Sequence, residues 1–166
     1  MVDTFHGQRG STAWIKLSGE SEEALRGDAP CACGGVPAGA TFDECCGPLL
    51  RSERHAETAE QLMRSRFTAY ALADGEHLFR TWYARTRPPH VDPEPWVRWV
   101  SLEILDTVDG GADDDTGVVE FRAHWVAGEG VALQQGEVHE RSTFRRRAGR
   151  WFYVGAEEPD EGVSGS

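Results

Sequence analysis

Apolar positions recur at helical spacing in the first part of the chain and alternate at strand spacing in the second, with the change of period near Ser101. Thr58-Ala59-Glu60-Gln61 has the Thr-x-x-Gln form of a capping box, and no Gly or Pro follows until Gly75, so a helix is predicted from Thr58 to Leu72. Asp74 is placed to cap a second helix through Leu78, Phe79, Trp82 and Tyr83, ended by Pro88-Pro89. Asp92-Pro93 supplies a cap and a first-turn proline for a third, which would carry Trp96, Val97, Trp99 and Val100. Beyond Ser101, alternation takes over at Leu102-Ile104, Val119-Phe121-Ala123-Trp125, Val138-Glu140-Ser142-Phe144 and Phe152-Val154. Gly110-Gly111, the stretch from Ala127 to Gly130, and Ala148-Gly149 read as the turns between these runs. Helices followed by an antiparallel meander predict an α+β fold, with about three helices on a sheet of about four strands.

The ends carry no such period. Residues 1–30 are rich in Gly, Ser and acidic residues around one short apolar stretch from Ala13 to Leu17, and residues 157–166 are acidic and then Gly/Ser-rich. Both are expected to be flexible, which leaves residues 31–50 as a cysteine-bearing segment and residues 51–156 as the folded domain.

Charge adds little once it is placed along the chain. The 166 residues hold 17 Lys and Arg against 28 Asp and Glu, a net charge of −11. Four of those negative charges lie in the tail and a net two in the N-terminal segment, so the folded core keeps about −5. An acidic chain argues against nucleic acid as a partner, because phosphate binding needs a basic surface that releases counterions. No apolar run approaches the roughly eighteen residues of a membrane span, and no signal-peptide core occurs near the start. A cytoplasmic location without a membrane partner is expected.

The candidate chemistry lies in Cys31, Cys33, Cys45 and Cys46, the four cysteines of the chain. In a reducing compartment such a cluster points to a metal site sooner than to disulfides, and closing either pair on itself would make a strained ring. Zinc held by four thiolates satisfies its tetrahedral preference and leaves no position open for water, so the metal would be structural. Gly34-Gly35 and Gly47 follow the two pairs, where a tight loop can turn backbone N–H groups toward sulfur. Free thiols in a loop are the alternative, and His55 is a possible replacement ligand.

The stretch from Cys31-Ala-Cys-Gly-Gly35 to Phe42-Asp-Glu-Cys-Cys-Gly-Pro-Leu-Leu50 resembles the SEC-C zinc motif. The segment from Thr58 to Tyr70, Thr81-Trp82, and His139-Glu-Arg-Ser-Thr-Phe144 resemble the YchJ family. The resemblance implies a SEC-C knuckle followed by a cone-shaped domain similar to nuclear transport factor two and ketosteroid isomerase, with no established biochemical activity. Two departures stand out. The family motif is usually written with Ser-Gly-Lys after the first pair and about eight residues between pairs, whereas this chain has Gly35-Val36-Pro37 and eleven residues. Many relatives also carry a second SEC-C motif, and no cysteine follows Cys46 here.

Within the domain, Ala59, Leu62, Met63, Arg66 and Tyr70 fall on one helical stripe, which places Arg66 on the apolar face and Arg64 on the polar side. Alternation from Val138 to Phe144 puts Glu140 and Ser142 on the core face and His139, Arg141 and Thr143 outside. A buried Arg and a buried Glu are each costly alone, so an Arg66–Glu140 ion pair supported by Tyr70 or Ser142 is predicted. Arg66, Tyr70, Trp82, Glu140 and Ser142 are therefore the candidate pocket residues, and Trp96, Trp99 and Trp125 are aromatic positions of either a pocket wall or a plain core. His139 is expected to face solvent.

Arg145-Arg146-Arg147 with Arg150 marks a basic hairpin tip, and Asp113-Asp114-Asp115 lacks the downstream Glu of a calcium loop. No phosphate-binding loop, dinucleotide fingerprint, nucleophile elbow or His-Glu-x-x-His site occurs. The reading that follows is a zinc-binding, non-catalytic interaction or adaptor protein with a protein partner. The alternative is a small-molecule binder or enzyme using a polar pocket inside the cone.

Overall fold

The computed structural model describes residues 26–157. Along them run α1 (Gly47–Leu50), α2 (Ala59–Ala71), α3 (Gly75–Arg80), β1 (Val97–Asp109), β2 (Thr116–Ala127), one 3-10 turn (Gly130–Ala132), β3 (Gln134–Arg147) and β4 (Arg150–Ala156). Residues 1–25 and 158–166, most of the ends expected to be flexible, lie outside the described residues. Arg26 to Pro30 continue into the cysteine segment, where Pro30 bridges Thr41 and the Ala29 carbonyl accepts from Phe42 N.

The caps start α2 and α3 where their sequences indicate. Thr58 Oγ1 accepts from Gln61 N at 3.1 Å, while Gln61 Oε1 accepts from Glu57 N at 2.9 Å, so the return contact of the box closes one residue further out. Asp74 Oδ1 accepts from His77 N at 3.0 Å. α3 stops at Arg80 because the next residues join the sheet. Trp82 bridges Tyr153 in parallel, Tyr83 N donates to the Tyr153 carbonyl, and Tyr153 N donates to that of Thr81. Trp82 and Tyr83, expected in the helix, instead cover the free edge of β4.

The helix expected after Asp92-Pro93 does not form. From Val97 the chain is β1, paired to β2 from Val97↔Ala127 to Asp109↔Gly117. Val97, Trp99 and Val100 are β-branched or aromatic, and pairing along a thirteen-residue strand outweighs whatever the capping pair offers locally. The third helix is α1, opened by Pro48 in its first turn, within the cysteine segment.

The four strands form one antiparallel sheet in the order β1-β2-β3-β4. Register shifts at Trp99/Ser101 and Ile104/Asp106 in β1, and at Thr143/Phe144 between β3 and β4, are the bulges that bend a sheet around a helix. Val119, Phe121, Ala123, Ser142 and Phe144 are buried on the concave face against Leu62, Met63 and Phe67 of α2. In β4 the buried residues are Trp151 and Tyr153, not the expected Phe152 and Val154. All four are apolar, so alternation alone did not fix the phase. The turn after β1 meets α2 closely: a Cβ on Gly117 would lie 2.5 Å from Gly110 Cα and 3.2 Å from Ala59 Cβ.

The outer face carries polar contacts, with Glu120 beside His139 at 3.2 Å and ion-paired to Arg141 at 3.5 Å, and Arg122 paired to Glu103 and Glu137. Such exposed pairs contribute little stability. No helix among the described residues is long and apolar enough to cross a membrane.

Candidate metal centre

The two cysteine pairs are brought together by a loop that folds back on itself. Cys31 N donates to the Ala40 carbonyl at 2.9 Å, Cys45 N to that of Phe42 at 3.2 Å, and Leu49 N and Leu50 N to that of Cys46 at the start of α1. Gly35 has φ +82°, and a Cβ there would sit 2.5 Å from Ala40 N, so this turn requires glycine. Its N–H points at Cys33 Sγ from 3.4 Å, as expected for a glycine beside a thiolate ligand. Gly47 N donates to the Phe42 carbonyl instead of to sulfur.

All four sulfurs are buried and lie within 4.8 Å of one another. Cys33 Sγ is 3.6 Å from Cys31 Sγ, 3.6 Å from Cys45 Sγ and 3.7 Å from Cys46 Sγ, and Cys45 and Cys46 are 3.9 Å apart. A regular tetrahedron of metal–sulfur bonds of about 2.3 Å has edges of about 3.8 Å. The donor set therefore fits a divalent ion with four thiolates, and none of the four cysteines is in a disulfide. Contact with Cys33 holds the Cys31 thiol below its ordinary range, whereas contact with Cys31 pushes the Cys33 and Cys46 thiols above theirs. Sulfurs this crowded cannot all ionise unless a cation sits among them. His55, the possible replacement ligand, is not in the cluster.

Two side chains of α2 complete the surroundings. Thr68 Oγ1 lies 3.8 Å from Cys31 Sγ, and Arg64 Nη1 donates to the Cys33 carbonyl at 2.9 Å. The sequence places Arg64 on the polar side of the helix without assigning it to the cysteine site, and does not single out Thr68. The i, i+4 spacing of Arg64 and Thr68 was the available clue, since it sets both on one side of α2.

The candidate pocket residues lie deeper, on the far side of α2. Arg66 is 2% exposed, yet it makes no ion pair with Glu140. Its Nη1 donates to the Leu78 carbonyl at 2.8 Å and to Thr81 Oγ1 at 2.7 Å, and its guanidinium lies 4.5 Å from the Tyr153 ring centre and 5.2 Å from that of Trp82. Glu140 Oε1 accepts from Ser142 Oγ at 2.7 Å and from the Tyr153 hydroxyl at 2.9 Å. Tyr153 thus stands between the two charges, its ring against the cation and its hydroxyl on the carboxylate. The predicted ion pair is replaced by this three-part arrangement. Burial lowers the Arg66 pKa, and burial followed by the Glu140 charge raises that of Tyr153. Tyr70 packs against Trp99 with ring centres 6.0 Å apart. Trp82 meets Tyr153 edge-on at 5.0 Å.

His139 lies on the outer face beside Glu120. Three arginines of the basic tip are also engaged. Arg147 donates to the Tyr83 hydroxyl, Arg145 lies over the Tyr83 ring, and Arg146 lies over Trp151 and contacts Asp115.

Four buried cysteines in a short knuckle, packed on the one long helix that a bent antiparallel sheet wraps, define a SEC-C motif ahead of a domain of the nuclear transport factor two type. The chain belongs to the YchJ family: the family described as the YchJ middle NTF2-like domain matches residues 58–156. A UPF0225 protein of Streptomyces coelicolor is 44% identical over 128 residues, which cover 77% of this chain and 94% of the relative. One from Deinococcus radiodurans is 40% identical over 129 residues, covering 78% and 89% of the two chains. The solution structure of a SEC-C motif containing protein from Rhodopseudomonas palustris is similar at a TM-score of 0.66 and 37% identity, over 78% of this chain and 98% of that one. A SEC-C motif containing protein from Psychrobacter arcticus shares the fold at a TM-score of 0.56 and 22% identity, over 78% and 82% of the two chains.

Proposed function

We propose that this chain is a cytoplasmic zinc protein whose metal is structural and whose role is to present the knuckle and cone as one interaction surface for a protein partner. The observation that carries the reading is the sulfur geometry: four of the sulfur–sulfur distances are 3.6 to 3.9 Å, and all four buried thiols lie within 4.8 Å of one another. Zinc accepts four thiolates at that spacing, and a closed shell leaves no position for water or substrate. Arg66, Tyr153, Glu140 and Ser142 satisfy one another inside the cone, which favours a packing role over acid–base chemistry. Arg145, Arg146 and Arg147 of the basic tip are engaged by Tyr83, Trp151 and Asp115, and together with the net charge of −11 this disfavours nucleic acid as the partner.

The test is elemental analysis of the purified chain together with thiol titration. One zinc per chain is expected, with thiols that react slowly until a chelator is added. A full-length, folded protein with no bound metal and four freely reactive thiols would overturn the reading.

A further inference from the structure

A cleft of about 280 Å³ opens on the seam between the knuckle and the cone. Its floor is apolar and buried, formed by Leu49 of α1, Leu62 of α2 and Trp151 of β4. Its walls carry Arg54, His55, Arg80 and Arg150, with the hydroxyls of Ser52 and Thr81 beside them, and among the described residues no Asp or Glu lines it. On a chain with eleven more acidic than basic residues, three guanidiniums around one concavity without a carboxylate are not what random placement provides.

The cations are only partly engaged by the protein. Arg54 Nη2 donates to the Cys45 carbonyl at 3.3 Å, and Arg80 Nη2 donates to that of Leu50 at 2.5 Å and to His77 Nδ1 at 3.0 Å. Carbonyl and imidazole partners orient a guanidinium without neutralising it. Among the described residues, the one carboxylate that reaches the cleft's cations is Glu76, exposed and 3.7 Å from Arg80. Glu53, next in sequence to Arg54, is held by Arg51 at 2.8 Å. Arg150 and His55 are exposed and form no ion pair among the described residues.

We propose that this seam binds a small phosphate-bearing molecule. Guanidinium forks match phosphate oxygens two at a time, and an apolar floor beside them accommodates the organic part of an ester. The cleft volume is near the lower end of small-molecule pockets, about 300 Å³, which suits one compact ligand and not a polymer. Because Arg54 is tied to the carbonyl of a cluster cysteine, the ligand would touch the knuckle and the cone together.

The experiment titrates the full chain, as purified, with inorganic phosphate, pyrophosphate, acetate and a short RNA oligonucleotide, following heat and the indole resonance of Trp151. Saturable binding of phosphate and pyrophosphate is expected, with acetate weaker. Arg150→Ala should weaken it about tenfold, the effect of one charge-assisted contact. Arg150 is exposed at the start of β4, so that variant should fold, and His55→Ala provides a second fold-neutral change that should also weaken binding. The proposal is overturned by absence of saturable phosphate and pyrophosphate binding, by acetate binding as tightly, or by unchanged affinity in both variants. An oligonucleotide binding more tightly than pyrophosphate would also overturn it, since that places the phosphates on an open surface.

Discussion

Arg64 donates Nη1 to the carbonyl oxygen of Cys33 across 2.9 Å, so a side chain of the cone holds the backbone of a knuckle cysteine. Arg64 is mostly buried, and Glu60 contacts its other Nη at 3.3 Å. Arg64→Ala should lower stability by about 1.5 kcal/mol, the scale of one charge-assisted hydrogen bond, and speed metal loss to a chelator. Chemical denaturation and the rate of zinc transfer to a chromogenic chelator measure the two effects. An unchanged transfer rate would show that the contact does not support the site.

Removing the metal should destabilise the cone as well as the knuckle. Cys31, Cys33, Cys45 and Cys46 belong to the same buried cluster as Leu62, Met63, Phe67 and Tyr153. Cys46→Ser, at one of the most deeply buried sulfurs, should abolish stoichiometric zinc and lower the melting temperature of the whole chain in a single transition. Calorimetry showing an unshifted main transition would mean that the knuckle folds independently.

Arg66 makes contacts that lysine cannot reproduce. It holds a carbonyl and a hydroxyl with one nitrogen while its plane faces Tyr153 and Trp82. Arg66→Ala should cost about 3 kcal/mol through the cavity and the lost hydrogen bonds to the Leu78 carbonyl and the Thr81 hydroxyl. Arg66→Lys should recover only part, because an ammonium lacks the planar fork. Equal stability of the lysine variant and the parent in urea unfolding would contradict this account.

His77 should make the protein acid-sensitive. It is 2% exposed, donates Nε2–H to Ser65 Oγ at 2.9 Å, and accepts from Arg80 at Nδ1, so both ring nitrogens are committed to the neutral form. Burial first, then the Arg80 and Arg66 charges, push its pKa down to about 3. The unfolded chain protonates near 6.5 and the folded one does not, so the contribution is full above pH 6.5 and is lost as pH falls toward 3. The loss is about 1.4 kcal/mol per pH unit within that window. His77→Gln should flatten the dependence between pH 6 and 4, measured by urea unfolding at each pH; an equally steep slope in the variant would assign the effect to other groups.

Gly117→Val should be severely destabilising, by about 3 kcal/mol or more, because the β1–β2 hairpin has no space for a side chain against Gly110 and Ala59. Gly111→Ala, where an added Cβ meets only the Asp114 carboxylate at 3.4 Å, is the control and should be close to neutral. Thermal denaturation of the two variants decides between crowding and a general dependence of this turn on glycine.

Local signals in the sequence survived folding where one residue type carried them. The Thr58 and Asp74 caps act at their predicted positions, and Glu140, Ser142 and Phe144 share the concave face as their alternation required. The four cysteines converge because their type and spacing admit few other arrangements. What could not be read was competition between elements. Trp96 to Val100 satisfied a helical cap and a strand equally, and only the presence of β2 alongside settled the matter. Trp151 to Val154 are apolar throughout, so the phase of β4, and with it Tyr153, was hidden. Pairing Arg66 with Glu140 was electrostatically sound, but an aromatic ring from a strand 87 residues later occupies the space between them.

Trp151 Nε1 donates to the carbonyl of Glu57, 94 residues earlier, at the entrance to α2. During synthesis, the helix that organises the cone leaves the ribosome long before the strand that locks it. Until β4 arrives, the concave face lacks Trp151 and Tyr153, and Trp82 has no strand edge to cover. A nascent chain would therefore spend several seconds, at roughly 5–20 residues per second, with all four cysteines synthesised and its cone unsealed. During that interval the four thiols exist without the strand that completes the buried cluster they share with the cone.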